Sequence, residues 1–176
     1  MKNKTKLIQL LSFISATMGI VCIACFFFPF LAISSKEGNT GFYTGFEVAF
    51  GYSDNIVKMA MNILLIVVCV LFFIASVLSL MRYNNKLANI VSSILFFVPA
   101  LAVFLLPVYA KSLGKMIIGS TYATGLAWGA IICGVIAFAC VILNIAILIL
   151  NKKLDLEAPV EEPAKEEQPV EENKEN

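Results

Sequence analysis

Long uncharged apolar stretches alternate along the chain with short segments that hold nearly all of its charged residues. A helix needs roughly 18 or more mainly apolar residues to cross a membrane. Four stretches meet this requirement and predict spans at residues 7–33, 59–81, 87–110 and 124–150. The pattern therefore predicts an all-α fold, a four-transmembrane-helix bundle.

The segments between the spans complete the predicted domain organisation. They are a cytoplasmic N-terminus at 1–6, outer loops at 34–58 and 111–123, and an inner loop at 82–86. The transmembrane domain as a whole occupies residues 7–150, and a cytoplasmic tail follows at 151–176.

The tail at 151–176 differs in composition from the rest of the chain. It contains eight Glu and one Asp against four Lys, a net charge of −5, with three Pro and no aromatic residue. Such a segment cannot bury enough apolar surface to fold, so we expect it to be disordered. A solvated tail is the simple interpretation, and a tether for a basic cytoplasmic partner is the functional one.

The distribution of Lys and Arg predicts the orientation of the bundle in the plasma membrane. One side carries Lys2, Lys4, Lys6, Arg82, Lys86, Lys152 and Lys153, and the other carries Lys36, Lys58, Lys111 and Lys115. Short cytoplasmic segments collect basic residues. Both termini are therefore predicted to be cytoplasmic.

Two pairs of similar segments suggest an internal duplication. Residues 26–29 read FFFP and residues 96–99 read FFVP, an offset of 70. Residues 44–51 read TGFEVAFG and residues 124–129 read TGLAWG, an offset of 80. We therefore consider the hypothesis that the bundle is two parallel helical-hairpin repeats. The unequal offsets leave it open.

Composition narrows the classes of function. With 60% hydrophobic and 14% charged residues, the chain is far from the roughly 45–50% and 25% of soluble domains. No predicted span contains Asp, Glu, Lys, Arg or His, although such residues usually mark ion pathways, proton relays and substrate sites in membranes. Small four-span multidrug exporters have a similar layout but depend on a Glu in the first span. We therefore predict no catalytic, cofactor-binding or metal-binding residue, no cofactor and no enzyme activity.

Five cysteines raise the question of thiol chemistry. Cys22 and Cys25 have the C-x-x-C spacing, but all five lie within apolar stretches, where ionisation of a thiol is disfavoured. The cysteines are therefore predicted to be packing residues.

Small residues at every fourth position of span four predict a helix-packing face. They are Gly125, Gly129, Cys133 and Ala137. Small side chains let helices approach closely in lipid, where no hydrophobic force draws them together. Asn62 and Asn144 are the clearest polar groups in the spans and are expected either to hydrogen-bond to neighbouring helices or to lie near an interface.

The first outer loop contains a candidate recognition surface. Its residues are Phe42, Phe46, Glu47, Phe50 and Asp54. The three Phe residues suit one face of a short helix and also share strand parity, so their periodicity does not decide the secondary structure. Either the loop binds a partner, with Glu47 or Asp54 as a polar contact, or it closes the bundle.

The layout resembles that of claudin-type proteins, which have four spans, a longer first outer loop and cytoplasmic ends. Their first-loop signature of Trp, Gly-Leu-Trp and two Cys is absent from this sequence. Residues 7–150 are also similar to small uncharacterised four-span membrane proteins of low-GC Gram-positive bacteria, which often carry a segment like TGFEVAFG after span one. This second resemblance implies a bacterial membrane protein and no particular activity.

These features predict a non-catalytic multi-pass protein, an accessory or scaffold component of the plasma membrane or cell envelope. The alternative is a small oligomeric transporter or channel subunit for an apolar or neutral solute. The expected partners are the lipid bilayer and either another membrane protein or further copies of the chain, and no nucleic acid.

Overall fold

The computed structural model describes residues 2–34, 40–53, 58–59, 61–81, 85–112 and 123–157. Its four long helices are α1 (Lys2–Ala24), α3 (Ile63–Met81), α4 (Lys86–Phe104) and α6 (Trp128–Glu157). Two shorter helices, α2 (Gly45–Phe50) and α5 (Leu106–Ser112), belong to the connections. Each long helix contains a segment long and apolar enough to cross a membrane, so the predicted four-helix fold is confirmed.

The long helices form an up-and-down bundle. Helix α1 packs against α3 and α6, and α4 packs against the same two helices from the other side. Large apolar side chains also cover the outward faces, among them Ile63, Phe73 and Val135. Water would be a poor solvent for such a surface, whereas lipid suits it. The chain is therefore a multi-pass membrane protein.

Short strands from both outer connections lie above one end of the bundle, and three of them form one sheet. The strands are β1 (Pro29–Ser34), β2 (Thr40–Thr44), β3 (Tyr52–Ser53), β4 (Lys58–Met59) and β5 (Ala123–Leu126). Strand β1 lies between β2 and β5 and is antiparallel to both, with Ala32 opposite Phe42 on one side and Gly125 on the other. Strands β3 and β4 form a separate antiparallel pair. We call this end the outer end and the opposite end, where both terminal helices have their free ends, the terminal end.

The first helix is shorter than the predicted span 7–33. It ends at Ala24, a 3-10 turn follows at Cys25–Phe27, and the chain continues as β1. Pro29 lacks an N–H group and disfavours helical geometry in the residue before it, which explains the change. The sequence remained apolar through Ile33 because β1 is largely buried against the bundle.

The third and fourth spans also differ from their predicted bounds. Helix α4 ends at Phe104, and α5 begins at Leu106 with Pro107 in its first turn, where the missing N–H has no intrahelical partner to lose. At the predicted start of span four, residues 123–126 form β5, and helix α6 begins only at Trp128.

The tail was predicted to be disordered from residue 151, but α6 continues to Glu157. The first seven residues of the tail, 151–157, are therefore helical, whereas 158–176 lie outside the described residues. Residues 35–39 and 54–57 of the first outer loop, 113–122 of the second, and 82–84 of the inner loop also lie outside them.

The segments proposed as repeats adopt different structures. Residues 26–29 pass from the 3-10 turn into β1, whereas 96–99 lie inside α4. Residues 44–51 contain α2, whereas 124–129 contain most of β5 and the first residues of α6. The fold therefore lends no support to the hypothesis of two helical-hairpin repeats.

Candidate functional site

A polar cluster in the bundle interior takes one side chain from each long helix. Ser15 Oγ of α1 donates to Asn144 Oδ1 of α6 at 3.3 Å, and Asn144 Nδ2 donates to Ser92 Oγ of α4 at 3.3 Å. Ser92 Oγ also lies 2.7 Å from Ser79 Oγ of α3. All four residues are buried. The cluster therefore fixes the four helices relative to one another, and it confirms the expectation that Asn144 bonds to neighbouring helices.

The direction of each hydrogen bond at Ser92 follows from the bonding capacity of a hydroxyl group. Ser92 Oγ donates its one proton to the Ala75 carbonyl oxygen at 3.1 Å. It must then accept from both Asn144 Nδ2 and Ser79 Oγ, which uses its two lone pairs. Ser92 is fully satisfied. The cluster consists of hydroxyl and amide groups that bond across helices, so its geometry holds the helices in register.

Helices α1 and α6 meet along a seam with seven-residue spacing. Cys22 Sγ and Cys133 Sγ each point to the carbonyl oxygen of the other residue, at 3.7 and 3.5 Å. Cys140 lies seven residues after Cys133, and Ser15 lies seven residues before Cys22. Cys140 Sγ donates to the Ser15 carbonyl oxygen at 3.6 Å. These thiols act as small, weak donors in a close helix contact. The prediction that they are packing residues agrees with this arrangement.

Three of the four residues predicted as a packing face of span four lie on α6. A Cβ atom on Gly129 would lie 2.5 Å from the Pro29 carbonyl oxygen, so only glycine fits there. Cys133 and Ala137 are fully buried. Gly125, in contrast, lies in β5, and a Cβ atom there would meet nothing within 4 Å. Gly125 is not part of the packing helix because α6 begins at Trp128, later than the pattern of small residues suggested.

Sequence reasoning missed a second close approach, on α1. A Cβ atom on Gly19 would collide with Ser76 Oγ of α3 and would lie 2.8 Å from a ring carbon of Phe96 in α4. A single glycine in an apolar stretch gives little signal by itself. Its role follows only from the rotation of α1, which points Gly19 to the bundle axis.

Aromatic side chains fill the interior above the polar cluster. Phe72 of α3 and Phe96 of α4 are fully buried, with ring centroids 6.2 Å apart. Nearer the outer end, Phe26 and Phe30 are also fully buried, with centroids 4.7 Å apart. Interiors packed in this way leave little room for a solute.

A capping box builds the N-terminus of α2 within the first outer loop. The Thr44 backbone N–H and hydroxyl donate to Glu47 Oε2 at 2.7 and 2.9 Å, and the Glu47 N–H donates to Thr44 Oγ1 at 3.2 Å. Together they satisfy two donors at a helix start. The Thr-x-x-Glu spacing of Thr44 and Glu47 is a sequence signal that could have predicted this helix.

The candidate recognition residues therefore fall into separate environments. Glu47 has its carboxylate bound within the loop by Thr44. Phe46 is half-buried, 4.7 Å from Phe27 and stacked on Phe50 at 6.2 Å between centroids. Phe42 lies on β2 and is 60% exposed, and Phe50 at the end of α2 is 62% exposed. Asp54 lies outside the described residues.

Backbone contacts attach the three-stranded sheet and α2 to the bundle. We call β1, β2, β5 and α2 together the outer cap. The Gly45 N–H donates to the Phe28 carbonyl oxygen at 3.2 Å, and the Ala127 N–H donates to the Phe30 carbonyl oxygen at 3.0 Å. A Cβ atom on Gly45 would lie 2.9 Å from the Phe26 Cα atom. Gly45 of α2 and Gly129 of α6 thus pack on residues 26–29. These contacts fix the position of the outer cap relative to the helices.

Comparison with known proteins adds no assignment: no protein-family model matches this chain, and no curated protein matches it. Within the part of the chain that the structure describes, no group of three His, Cys, Asp or Glu residues could hold a metal ion.

Proposed function

We propose that this chain is a non-catalytic accessory or scaffold protein of the plasma membrane or cell envelope, and that its outer cap binds another membrane or envelope component. The observation that carries the proposal is the exposure of Phe42 and Phe50 on a cap that backbone hydrogen bonds attach to the bundle. Exposed aromatic side chains on a rigid support are typical of binding surfaces.

A further feature, an open strand edge, supports a binding surface over a simple closure of the bundle. Strand β2 pairs with β1 along one edge, and among the described strands no other pairs with its second edge. An open strand edge can accept hydrogen bonds from an extended segment of a partner. Phe42, an exposed residue of this strand, would supply apolar contact area to the same partner.

The packed interior argues against the alternative of a transporter or channel subunit. A solute path along the bundle axis would have to pass the buried rings of Phe26, Phe72 and Phe96. The polar cluster below them bonds among its own members and to the Ala75 carbonyl oxygen, so it offers a solute few free hydrogen-bonding groups. The balance of Lys and Arg supports an orientation with both termini in the cytoplasm and the outer cap outside.

Affinity purification of the tagged full chain from its native membrane in a mild detergent tests the scaffold proposal. The double variant Phe42→Ala, Phe50→Ala removes both exposed rings of the cap. The control, Phe73→Ala, removes a ring that is 59% exposed on the lipid-facing side of α3, against 60% for Phe42. We expect the wild-type chain and the control to retain one partner at constant stoichiometry, and the double variant to lose at least about 30-fold in its affinity.

Recovery of the chain alone from several detergents would overturn the scaffold proposal, as would a partner that the double variant retains fully. Labelling of single cysteines introduced at Ser92 and Ala137 in a cysteine-free background tests the alternative. A water-soluble thiol reagent should not reach either position in the membrane. Rapid labelling of both would establish a water path and favour the transporter.

A further inference from the structure

A groove opens between α1 and α3 at the terminal end of the bundle. Its cavity volume is about 490 Å³, and it is lined by Lys6, Gln9, Leu10, Ser12, Phe13 and Leu80. The groove lies outside the polar cluster and far along the helices from the outer cap. Neither the packing of the bundle nor the proposed function of the cap explains its side chains.

The polar groups of this groove are graded along one face of α1. Lys6, Gln9 and Ser12 follow one another at intervals of three residues, so each lies about 4.5 Å deeper in the bilayer than the one before. Leu10, Phe13 and Leu80 add apolar surface beside them. The order of the polar groups from the membrane surface inward is therefore a cation, an amide and a hydroxyl, with the apolar side chains beside the deeper two.

Ser12 provides an independent sign of a ligand. It is 2% exposed, and its Oγ atom has no hydrogen-bond partner within the described part of the chain. Hydroxyls in apolar helices usually donate to the carbonyl oxygen four residues earlier, as Ser76 does to Phe72 and Thr17 does to Phe13. An unpartnered buried hydroxyl is costly, and a bound acceptor group would remove that cost.

We propose that this groove is a binding site for an anionic glycerophospholipid of the leaflet at the terminal end. The lipid phosphate lies at the Lys6 ammonium group, an ester carbonyl oxygen accepts from Ser12 Oγ, and an acyl chain packs on Leu10, Phe13 and Leu80. The relative depths of Lys6 and Ser12 match the order of phosphate and ester in such a lipid, and the apolar residues beside Ser12 lie where its acyl chain begins. A free phosphate ion would contact Lys6 but would leave Ser12 and the apolar residues without a partner.

A second groove at the same end serves as a comparison. It lies between α4 and α6, has a cavity volume of about 290 Å³, and is lined by Lys86, Leu148, Ile149 and Lys152. Its two lysines give it more positive charge than the first groove, but it contains no hydroxyl or amide side chain. Removal of one of its lysines therefore changes the charge of the terminal end without touching the proposed site.

Native mass spectrometry of the full chain in detergent tests the proposal, with phosphatidylglycerol and phosphatidylcholine of identical acyl chains as ligands. We expect wild-type protein to bind the first phosphatidylglycerol about five-fold more tightly than phosphatidylcholine, the effect of one lysine beside an anionic headgroup. The variant Lys6→Gln should remove this preference, and Lys152→Gln should keep it.

Ser12→Ala should act differently, because both lipids carry the ester group. We expect it to weaken both lipids by about two- to ten-fold and to leave their ratio unchanged. Ser15→Ala is the matched control, since Ser15 lies one turn away and bonds to Asn144 in the interior instead. A phosphatidylglycerol with a diazirine in its acyl chain should cross-link to the peptides that contain Leu10, Phe13 or Leu80.

Three results would overturn the lipid site. Lys152→Gln could reduce the preference as much as Lys6→Gln, which would assign it to the charge of the whole terminal end. Inorganic phosphate at millimolar concentration could displace the lipid, which would indicate a small-anion site. Finally, Ser12→Ala could leave both affinities unchanged while the acyl cross-links fall on other helices, which would remove the groove from the binding of lipid.

Discussion

The two ends of this bundle are built by different means. At the outer end, strands from both connections pair with each other, and backbone hydrogen bonds join Gly45 of α2 to Phe28 and join Ala127, before α6, to Phe30 of β1. At the terminal end, neighbouring helices leave two open grooves lined by side chains. Backbone pairing specifies a shape that surface substitutions barely alter, whereas a groove takes its properties from the few side chains along it. The outer cap is therefore suited to present a fixed surface, and the terminal end is suited to bind small molecules of variable shape.

Between the two ends, the polar cluster sets the register of the helices. Hydrogen bonds between helices in membranes contribute about 0.6 kcal/mol on average and up to about 2 kcal/mol. Ser15, Ser79, Ser92 and Asn144 connect all four long helices through three bonds. The cluster thus contributes modest stability but a strong preference for one rotation of each helix.

The largest expected effect is a loss of stability on substitution of a glycine at the outer end of α6. Gly129→Val places a side chain where a Cβ atom would already lie 2.5 Å from the Pro29 carbonyl oxygen. Moving backbone to relieve such a contact should lower the free energy of unfolding by about 3 kcal/mol or more. Reversible unfolding in mixed micelles measures this change.

Gly125→Val is the matched control for Gly129→Val, because a Cβ atom at Gly125 meets nothing within 4 Å. We expect it to change stability by less than about 0.5 kcal/mol. Equal losses from the two valine substitutions would contradict the claim that α6 approaches the backbone of residues 28–29 through Gly129.

The next largest loss of stability is expected from a substitution in the polar cluster, in the middle of the bundle. Asn144→Leu removes the bonds to Ser15 and Ser92 and leaves their hydroxyls with fewer partners in a dry interior. We expect a loss of about 1–2 kcal/mol in the same unfolding measurement. Thr17→Val is the control, because the Thr17 hydroxyl bonds only to the Phe13 carbonyl oxygen of its own helix. A Thr17→Val variant that loses as much stability as Asn144→Leu would show that the cluster does not connect the helices.

The smallest effect is confined to the outer cap. Thr44→Ala removes the hydroxyl from the capping box of α2 and should destabilise this helix by about 1 kcal/mol. Hydrogen exchange should become faster at the Glu47 amide and its neighbours in α2, while the amides of α3 and α4 keep their protection. Thr44→Ser restores the hydroxyl and should restore slow exchange. An unchanged exchange rate in Thr44→Ala would mean that the cap does not depend on this box.

The spans could be predicted because the cost of placing charge or unpaired backbone in lipid leaves a long, simple pattern in the sequence. The role of Asn144 was predictable for the same reason, since a polar group in that setting must find a partner. The sheet was not predicted. Residues 29–33 are as apolar as the helix before them, and their pairing with Ala123–Leu126 joins segments far apart in the chain. Pro29 was the one local sign that the helix ends.

The candidate site was harder to predict because its parts come from different elements. Phe42 and Phe46 are four residues apart, yet one lies on β2 and the other on α2. The helix that separates them starts at a Thr-x-x-Glu motif that the spacing of the aromatic residues concealed. The groove at Lys6, Gln9 and Ser12 depends on which face of α1 meets α3, and rotation of a helix about its axis is not visible in a uniformly apolar sequence.

The position of β1 between β2 and β5 has a consequence for biosynthesis. Strand β1 ends at Ser34 and its second partner begins at Ala123, 89 residues later. At about 5–20 residues per second, the ribosome needs roughly 4–18 s to deliver that partner. During this interval the hairpin of β1 and β2 has already emerged with an open edge, and α1 still lacks its neighbour α6. A translation arrest before the final helix would therefore leave an incomplete protein with an unpaired strand, the kind of edge on which aggregation begins.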